Sequence, residues 1–384
     1  MPGRNEIRTV GIVDFGRSPI SRAKGGKLNK LTGLEIAGQV VKKLLARNPS
    51  VPVNEIEHLT CGCSFPEGEN GLNLARMIVA KSGLPEEIAA TTVNQFCASS
   101  QQSTMMLVDA LAVGKGDIAI ATGVEHMTRV PMGGFNPFYD TELKEKDFYI
   151  AMGDTAENLA RDGNISREEQ DAFAVESHNK ALGAWESGDF AKEVIPIDLP
   201  DGSVFDKDEG PQPPNLEKIK SLKPAFNAKG SVTAANSSPV TIGAGAIILM
   251  TEEKAKQLGL KLRAKIVTTA VAGCDWTRMG MGPIPASKKA FERSGLSADD
   301  IDVFEVNEAF AAQALYCIKE MGWDMKKVNL LGGAIAIGHP LGMSGVRIIG
   351  SGITALEKTG GRYALATMCV GGGQGATTIL ERGA

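Results

Sequence analysis

Six cysteines and four histidines are the side chains of this sequence best suited to nucleophilic or acid–base work near neutral pH. Cys97 lies in VNQFCASSQQS, between a strand-like run and a helix-like run. A cysteine there meets unpaired N–H groups and the positive end of a helix dipole, which predicts a lowered pKa and a reactive thiolate. The bland alternative, a buried packing thiol, is the common fate of a free cysteine. His339 lies in GGAIAIGHPLGMSG, with Pro340 fixing the backbone behind it. It could serve as a base or donate to a developing oxyanion, or be only a capping or core imidazole. Cys369, in TMCVGGGQG, would supply a second thiol for proton transfer, and the glycines after it would expose backbone N–H groups. Its alternative is a turn after a buried strand. Asn307 and Glu308, in EVNEAFAAQ, read either as a helix cap or as an amide that holds a water or a carbonyl. All four elements sit where a strand ends or a helix begins, the place where open α/β sheets put their sites.

The elements that must position these groups alternate. TVGIVDF reads as a buried strand and 31–48 as an amphipathic helix. An apolar run at IEHLTCGC, a helix over 73–82, a strand at TTVNQF, a helix over 98–113 and a strand at DIAIATGV follow. From about 127 to 233 the texture turns richer in Pro, Asn, Asp and Lys, with one clear helix over 167–187, and reads as an insertion. Strand character resumes at VTIGAGAIILM. The rest alternates again: AKIVTTAVAG, IDVFEV, NLLGGA, YALATMCV and GATTILE as strands, with PASKKAFERSG, AFAAQALYCIKEMG and SGVRIIGSGITALEKTG as helices. The pattern predicts an α/β fold with helices on both faces of a parallel or mixed sheet. The two ends also parallel each other loosely, EIEHLTCGCSF with DIDVFEVNEAF. That suggests a duplicated half and places Cys97 and His339 at equivalent helix starts.

With 384 residues, two or three compact units are expected. Hydrophobic content of 43% against 22% charged excludes extended disorder. A net charge of −4 without basic runs argues against a nucleic-acid surface. No apolar stretch is long enough to span a bilayer, and MPGRNEIRTVGIVDFG lacks a signal-peptide pattern, so a cytoplasmic protein is the simple reading. The cysteines are scattered; Cys61 and Cys63 lack the spacing of a zinc or redox motif, so no metal site is expected.

The sequence resembles the thiolase family. VNEAFAAQ, GGAIAIGHPLGMSGVR and CVGGGQG correspond to the family's C-terminal motifs, and VNQFCASS to its nucleophile motif. FGRSPI, GVEHM, MGDTAENLA, LKPAF, VTAANSS and MGMGPIPASKKA follow in family order over nearly the whole chain. GVEHM and ISREEQDAFAVESH look closest to degradative 3-ketoacyl-CoA thiolases of bacterial β-oxidation.

The resemblance implies two similar α/β halves in five layers, with an inserted loop domain that holds coenzyme A. The N-terminal half would span 1–126 and resume at about 234–262, the insertion 127–233, and the C-terminal half 263–384. Cys97 would be the acylated nucleophile, and His339 its base and a donor of the first oxyanion hole. Asn307 would hold that hole's water, and Cys369 would act as acid and base. The backbone N–H groups of Cys97 and Gly371 would form the second hole. Ser238, Met152, Met279 and Phe310 would line the coenzyme A site. Coenzyme A and acyl-CoA would be substrates, with no metal or redox cofactor. Homodimers or homotetramers are usual in the family, and membership of a multienzyme β-oxidation complex stays open.

Several positions depart from the family pattern. CASSQQST stands where many members have CSSGLQA, so 98–102 differ after the nucleophile. Ser238 is kept, but Pro239, Thr241 and Ile242 replace Gly, Asn and Asp, and Pro211 takes the place of an arginine. Ala151 stands where short-chain biosynthetic members often carry His, which argues against a dedicated acetoacetyl-CoA enzyme. Three rival readings stand beside it: a ketoacyl synthase, whose motifs lack the CVGGGQG cysteine; a biosynthetic acetyl-CoA acetyltransferase; and a non-catalytic acyl-CoA-binding or scaffold subunit, which would be expected to have lost Cys97, His339 or Cys369.

Overall fold

The computed structural model describes residues 7–383. Residues 1–6 and 384, included above in the two expected halves and in the reading of the N-terminus, lie outside the described residues. The strands in chain order are β1 (Val10–Arg17), β2 (Ser21–Arg22), β3 (Ile56–Gly62), β4 (Ala89–Val93), β5 (Ile118–His126), β6 (Ile197–Asp198), β7 (Val204–Phe205), β8 (Thr241–Thr251), β9 (Ala264–Gly273), β10 (Val303–Val306), β11 (Tyr363–Val370) and β12 (Gln374–Arg382). One mixed sheet runs β10-β11-β12-β9-β1-β8-β5-β3-β4, with β2 on β8, while β6 and β7 pair separately. Its two ends are parallel ladders (β10 with β11, β3 with β4 and β5), and its middle is antiparallel. β1 and β9 join the two halves through only Gly11 and Ile12, opposite Lys265 and Ala264.

Five layers follow from which face each residue buries. Ile118 and Ile120 of β5 pack outward with Ile36, Val40 and Leu44 of the helix Gly33–Arg47 and with Ile78 of Leu74–Lys81. Ala119 and Ala121, on the other face, join Met105 and Leu107 of the helix Ser99–Ala112 and Ile349 and Ile353 of Ser344–Thr359. In the second half Ala364, Ala366 and Met368 of β11 face those same two helices. Leu365 faces outward, in a core with Ala290 of Pro283–Ser294 and Ala314 of Ala311–Met321. The period of two thus sends alternate residues of each strand to the inner and the outer core. β1, β5 and β8 are buried along their whole length, as sheets covered on both faces require.

The two central helices approach closely because they begin in small residues. A Cβ on Gly345 would lie 2.2 Å from the Gln101 nitrogen, and one on Gly62 2.2 Å from the Ser100 nitrogen. Ser100 Oγ accepts the Val346 N–H at 3.0 Å, and Gln101 Nε2 donates to the Ala366 carbonyl at 3.1 Å. Residues 98–102, which depart from the family pattern, therefore tie the first half to the second.

Three expectations are corrected. NLLGGA is not a strand: Asn329 (φ +45°) and Gly332 (φ +79°) turn the chain, and Ala334–Ile337 is helical. The Asn329 side chain instead closes the edge of β10, accepting the Val306 N–H at 2.8 Å and donating to the Val306 carbonyl at 2.9 Å. Within 127–233 the chain forms five helices, not one: Thr141–Glu145, Met152–Asp162, Arg167–Glu186, Asp189–Glu193 and Leu216–Ser221. Three of them, at five or six residues, are too short for a period to show, whereas Met152–Asp162 carries a helical period on its buried face that sequence reasoning passed over. The strand expected at TTVNQF stops at Val93, because the chain kinks at Phe96.

Candidate active site

The kink places the nucleophile. Phe96 has φ +43°, an unfavourable conformation for an aromatic residue, and the surroundings hold it there. Its N–H donates to Asn94 Oδ1 at 2.8 Å, and its carbonyl accepts from Ser64 Oγ at 2.7 Å and Ser99 Oγ at 2.6 Å. Cys97 follows within the 3-10 turn Phe96–Ala98, one residue short of the helix Ser99–Ala112. That turn packs against both the turn Leu341–Met343, just after His339, and strand β11, which carries Cys369.

The expected thiolate is corrected. Burial pushes the Cys97 thiol up to about 11. Hydrogen bonding from the Gly371 backbone and from its own N–H opposes this, and Glu125 adds to it. Desolvation outweighs the helix start, so the resting side chain is a thiol that needs a base. Cys369 is fully buried, and its thiol is pushed well up by burial and by proximity to Cys97. Gly372 and Gly373 have φ of +74° and +76°, so the loop after Cys369 turns left-handed, as only glycine does readily. Cβ positions built on Gly371 and Gly372 fall 3.5 Å from the Phe96 ring and 3.4 Å from the Phe148 ring.

His339 lies buried between two partners. Its Nε2 faces Asn307 Nδ2 at 3.3 Å and its Nδ1 faces Ser344 Oγ at 2.6 Å. Ser344 Oγ also donates to the Pro340 carbonyl at 2.9 Å, so it is the acceptor toward the ring and Nδ1 carries the proton. Burial, and secondarily the Arg347 charge, hold the imidazole pKa down to about 3. His339 is therefore neutral, with an unprotonated Nε2 whose lone pair faces the Asn307 amide. Asn307 caps no helix: its N–H bonds the Thr367 carbonyl at 2.9 Å, and the next helix begins at Ala311. Glu308 is structural. It accepts from Ser177 Oγ at 2.6 Å, Asn329 Nδ2 at 2.8 Å and the Ile335 N–H at 3.1 Å.

The residues expected to line coenzyme A also converge. Met279, Phe310 and Cys369 share one apolar cluster, and Met152 packs against it. Ser238 adjoins them, its N–H bonded to the Ala309 carbonyl at 2.9 Å. Phe226 meets Phe310 edge-on, with centroids 5.9 Å apart. Pro211 is partly exposed, and Pro239 is exposed just before β8.

Sequence reasoning passed over three polar residues behind the site. Ser344 and Arg347 bond directly to His339 and Asn307. Glu125 accepts the N–H groups of Ser64 at 2.8 Å and Gly342 at 2.9 Å, so one buried carboxylate bridges the loops behind both Cys97 and His339. The signal was present: a lone Glu in IAIATGVEHM and a lone Arg in GVRIIGSGI are charges in otherwise buried elements, which require partners.

Comparison with known proteins places these features in a family. The family model described as "Thiolase, N-terminal domain" matches residues 10–253, and "Thiolase, C-terminal domain" matches residues 260–382. A 3-ketoacyl-CoA thiolase of Aliivibrio fischeri is 47% identical over 98% of this chain and 100% of its own length. One of Vibrio cholerae is 45% identical over the same shares. Among solved structures, the Bacillus anthracis acetyl-CoA acetyltransferase superposes with a TM-score of 0.91 at 37% identity, covering 98% of this chain and 100% of that one. The human mitochondrial 3-ketoacyl-CoA thiolase gives 0.91 at 34% identity, over 98% and 99%.

Proposed function

The chain belongs to the thiolase family, an acyltransferase, and from that premise we propose that it cleaves 3-ketoacyl-CoA through an acyl-enzyme on Cys97. One observation carries the reading: the turn bearing Cys97 packs against both the turn after His339 and the strand bearing Cys369. In this reading a neutral base and two protonated thiols share one site, which their raised and lowered pKa values support.

In the proposed sequence, His339 Nε2 takes the Cys97 proton, and the sulfur attacks the 3-keto carbon. The resulting oxyanion is met by the imidazolium N–H and by a water on Asn307. The C2–C3 bond breaks, and its electron pair becomes the acetyl-CoA enolate, whose oxygen faces the N–H groups of Cys97 and Gly371. Cys369 gives its proton to C2, and acetyl-CoA leaves. Free coenzyme A then loses its thiol proton to Cys369 and attacks the Cys97 thioester. Shortened acyl-CoA departs, and the imidazolium returns the proton to Cys97. The raised Cys369 pKa suits a donor that must be protonated at rest. The cycle closes without a metal or redox cofactor.

In this reading residues 127–233 hold coenzyme A, with Ser238, Met152, Met279 and Phe310 along the pantetheine path. The outer edge of β4 pairs with no strand among the described residues, and Met106 of the helix Ser99–Ala112 and Val113 just after it are exposed. This favours a homo-oligomer. No helix among the described residues is long and apolar enough to cross a membrane, and a cytoplasmic location is part of the proposal.

Mass spectrometry after mixing with a 3-ketoacyl-CoA in the absence of free coenzyme A tests the reading. An adduct on Cys97, shorter than the substrate acyl chain by an acetyl unit, is expected; an adduct on another residue overturns it. Thiolysis rates from acetoacetyl-CoA to long-chain substrates then separate β-oxidation from acetoacetyl-CoA metabolism.

A further inference from the structure

Arg347 is a fully buried cation in the first turn of a helix whose other charges, Glu357 and Lys358, lie at its exposed far end, and the mechanism above does not use it. Its Nη2 donates to Asn307 Oδ1 at 2.8 Å, and its Nη1 lies 3.6 Å from Glu305 Oε2. Nε and Nη1 make no hydrogen bond, and neither do both oxygens of the buried Glu305. Glu193, Glu308 and the second buried cation, Arg17, complete its electrostatic surroundings. The ionic partner is therefore distant and poorly aligned, whereas the one well-formed bond goes to a catalytic amide.

We infer that Arg347 is a positioning residue for the reaction: it dictates which end of the Asn307 amide faces His339, and so keeps Nε2 of the imidazole unprotonated. The argument is one of donor and acceptor inventory. A guanidinium has only donors, so the amide atom facing it must be oxygen. The amide nitrogen, also only a donor, is thereby turned to His339 Nε2 at 3.3 Å. In the neutral resting ring a protonated Nε2 would set two donors against each other, so the proton sits on Nδ1, where Ser344 Oγ accepts it at 2.6 Å; the imidazolium formed during attack turns its Nε2–H to the oxyanion instead. Without Arg347 the amide can rotate by half a turn and present its oxygen to Nε2. That would stabilise the Nε2–H tautomer, which has no lone pair for the Cys97 proton. The same rotation would turn the amide N–H donors away from the water proposed for the oxyanion.

The inference rests on His339 acting as the base, and its test separates the two claims. Arg347→Met alone leaves Glu305 without its cation, so the double variant Arg347→Met/Glu305→Gln is made beside it to preserve folding. Arg347→Lys retains a charged donor. In protein labelled with ¹⁵N-histidine, with His339→Asn identifying the resonance, the His339 ring should show a protonated Nδ1 and a bare Nε2. Both Met-containing proteins should shift population to the Nε2–H form. Their kcat for thiolysis should fall about a hundredfold, the scale of a misdirected general base, with KM little changed. Arg347→Lys should recover much of that loss. A folded double variant with native tautomer and kcat overturns the role of Arg347. If instead native protein carries the Nδ1–H tautomer while His339→Asn acylates Cys97 at the native rate, the reading of His339 as base fails and the positioning of Asn307 stands.

Discussion

His339 Nδ1 and Ser344 Oγ stand 2.6 Å apart, with Ser344 in turn bonded to the Pro340 carbonyl at 2.9 Å. The five-residue loop from the histidine to the first turn of the central helix thus folds back on itself, and the helix anchors the imidazole it follows.

Ser344→Ala removes that anchor and leaves a buried N–H without a partner. Stability should fall by about 1–3 kcal/mol, and kcat by roughly tenfold as the ring gains freedom to rotate. Urea unfolding and steady-state thiolysis check both; an unchanged kcat would deny the anchor any role in catalysis.

Reactivity of the resting nucleophile should follow its raised pKa. With Cys97 held up to about 11, the thiolate fraction, and hence the rate of Cys97 alkylation by iodoacetamide, should keep climbing as pH rises through 9 and 10. Mass spectrometry of the labelled peptide reads this directly. A plateau reached by pH 8 would mean a preformed thiolate and contradict base-assisted attack.

Cys369→Ala should separate the two thiols. Acylation of Cys97 by acyl-CoA, in which Cys369 only reprotonates a thiolate that leaves readily by itself, should fall far less than carbon–carbon cleavage, which should drop at least about 10²-fold because no donor remains for C2. Equal loss of both steps would argue against a distinct role for Cys369.

Gly123→Ala tests the packing behind the site. The new Cβ would lie 2.3 Å from the Gly342 carbonyl and 2.4 Å from Ser100 Cβ, atoms held by backbone and helix rather than by flexible tips. Overpacking of this kind costs about 1–3 kcal/mol. The melting temperature should drop, and activity with it, since Gly342 belongs to the loop after His339. A melting temperature equal to that of the native protein would show that the halves have slack there.

The sequence by itself determined the order of elements, the alternation that makes them α/β, and the residue types able to do the chemistry. These are local properties: period, turn residues, and a cysteine, histidine or asparagine beside glycines. Motif order carried the family on the same basis. Only the tertiary structure decided the protonation states and the alignment of the groups. Cys97 read locally as a thiolate, because a helix start was visible and the desolvation of the folded site was not. NLLGGA read as a strand, because the Asn329 side chain that substitutes for one bonds to a strand 23 residues earlier. Glu125 and Arg347 look like isolated charges in apolar runs until folding brings Gly342 to the first and Asn307 to the second. Burial and hydrogen bonding are sums over neighbours distant in the chain. They set the proton on Cys97 and the orientation of the Asn307 amide, which no window of sequence contains.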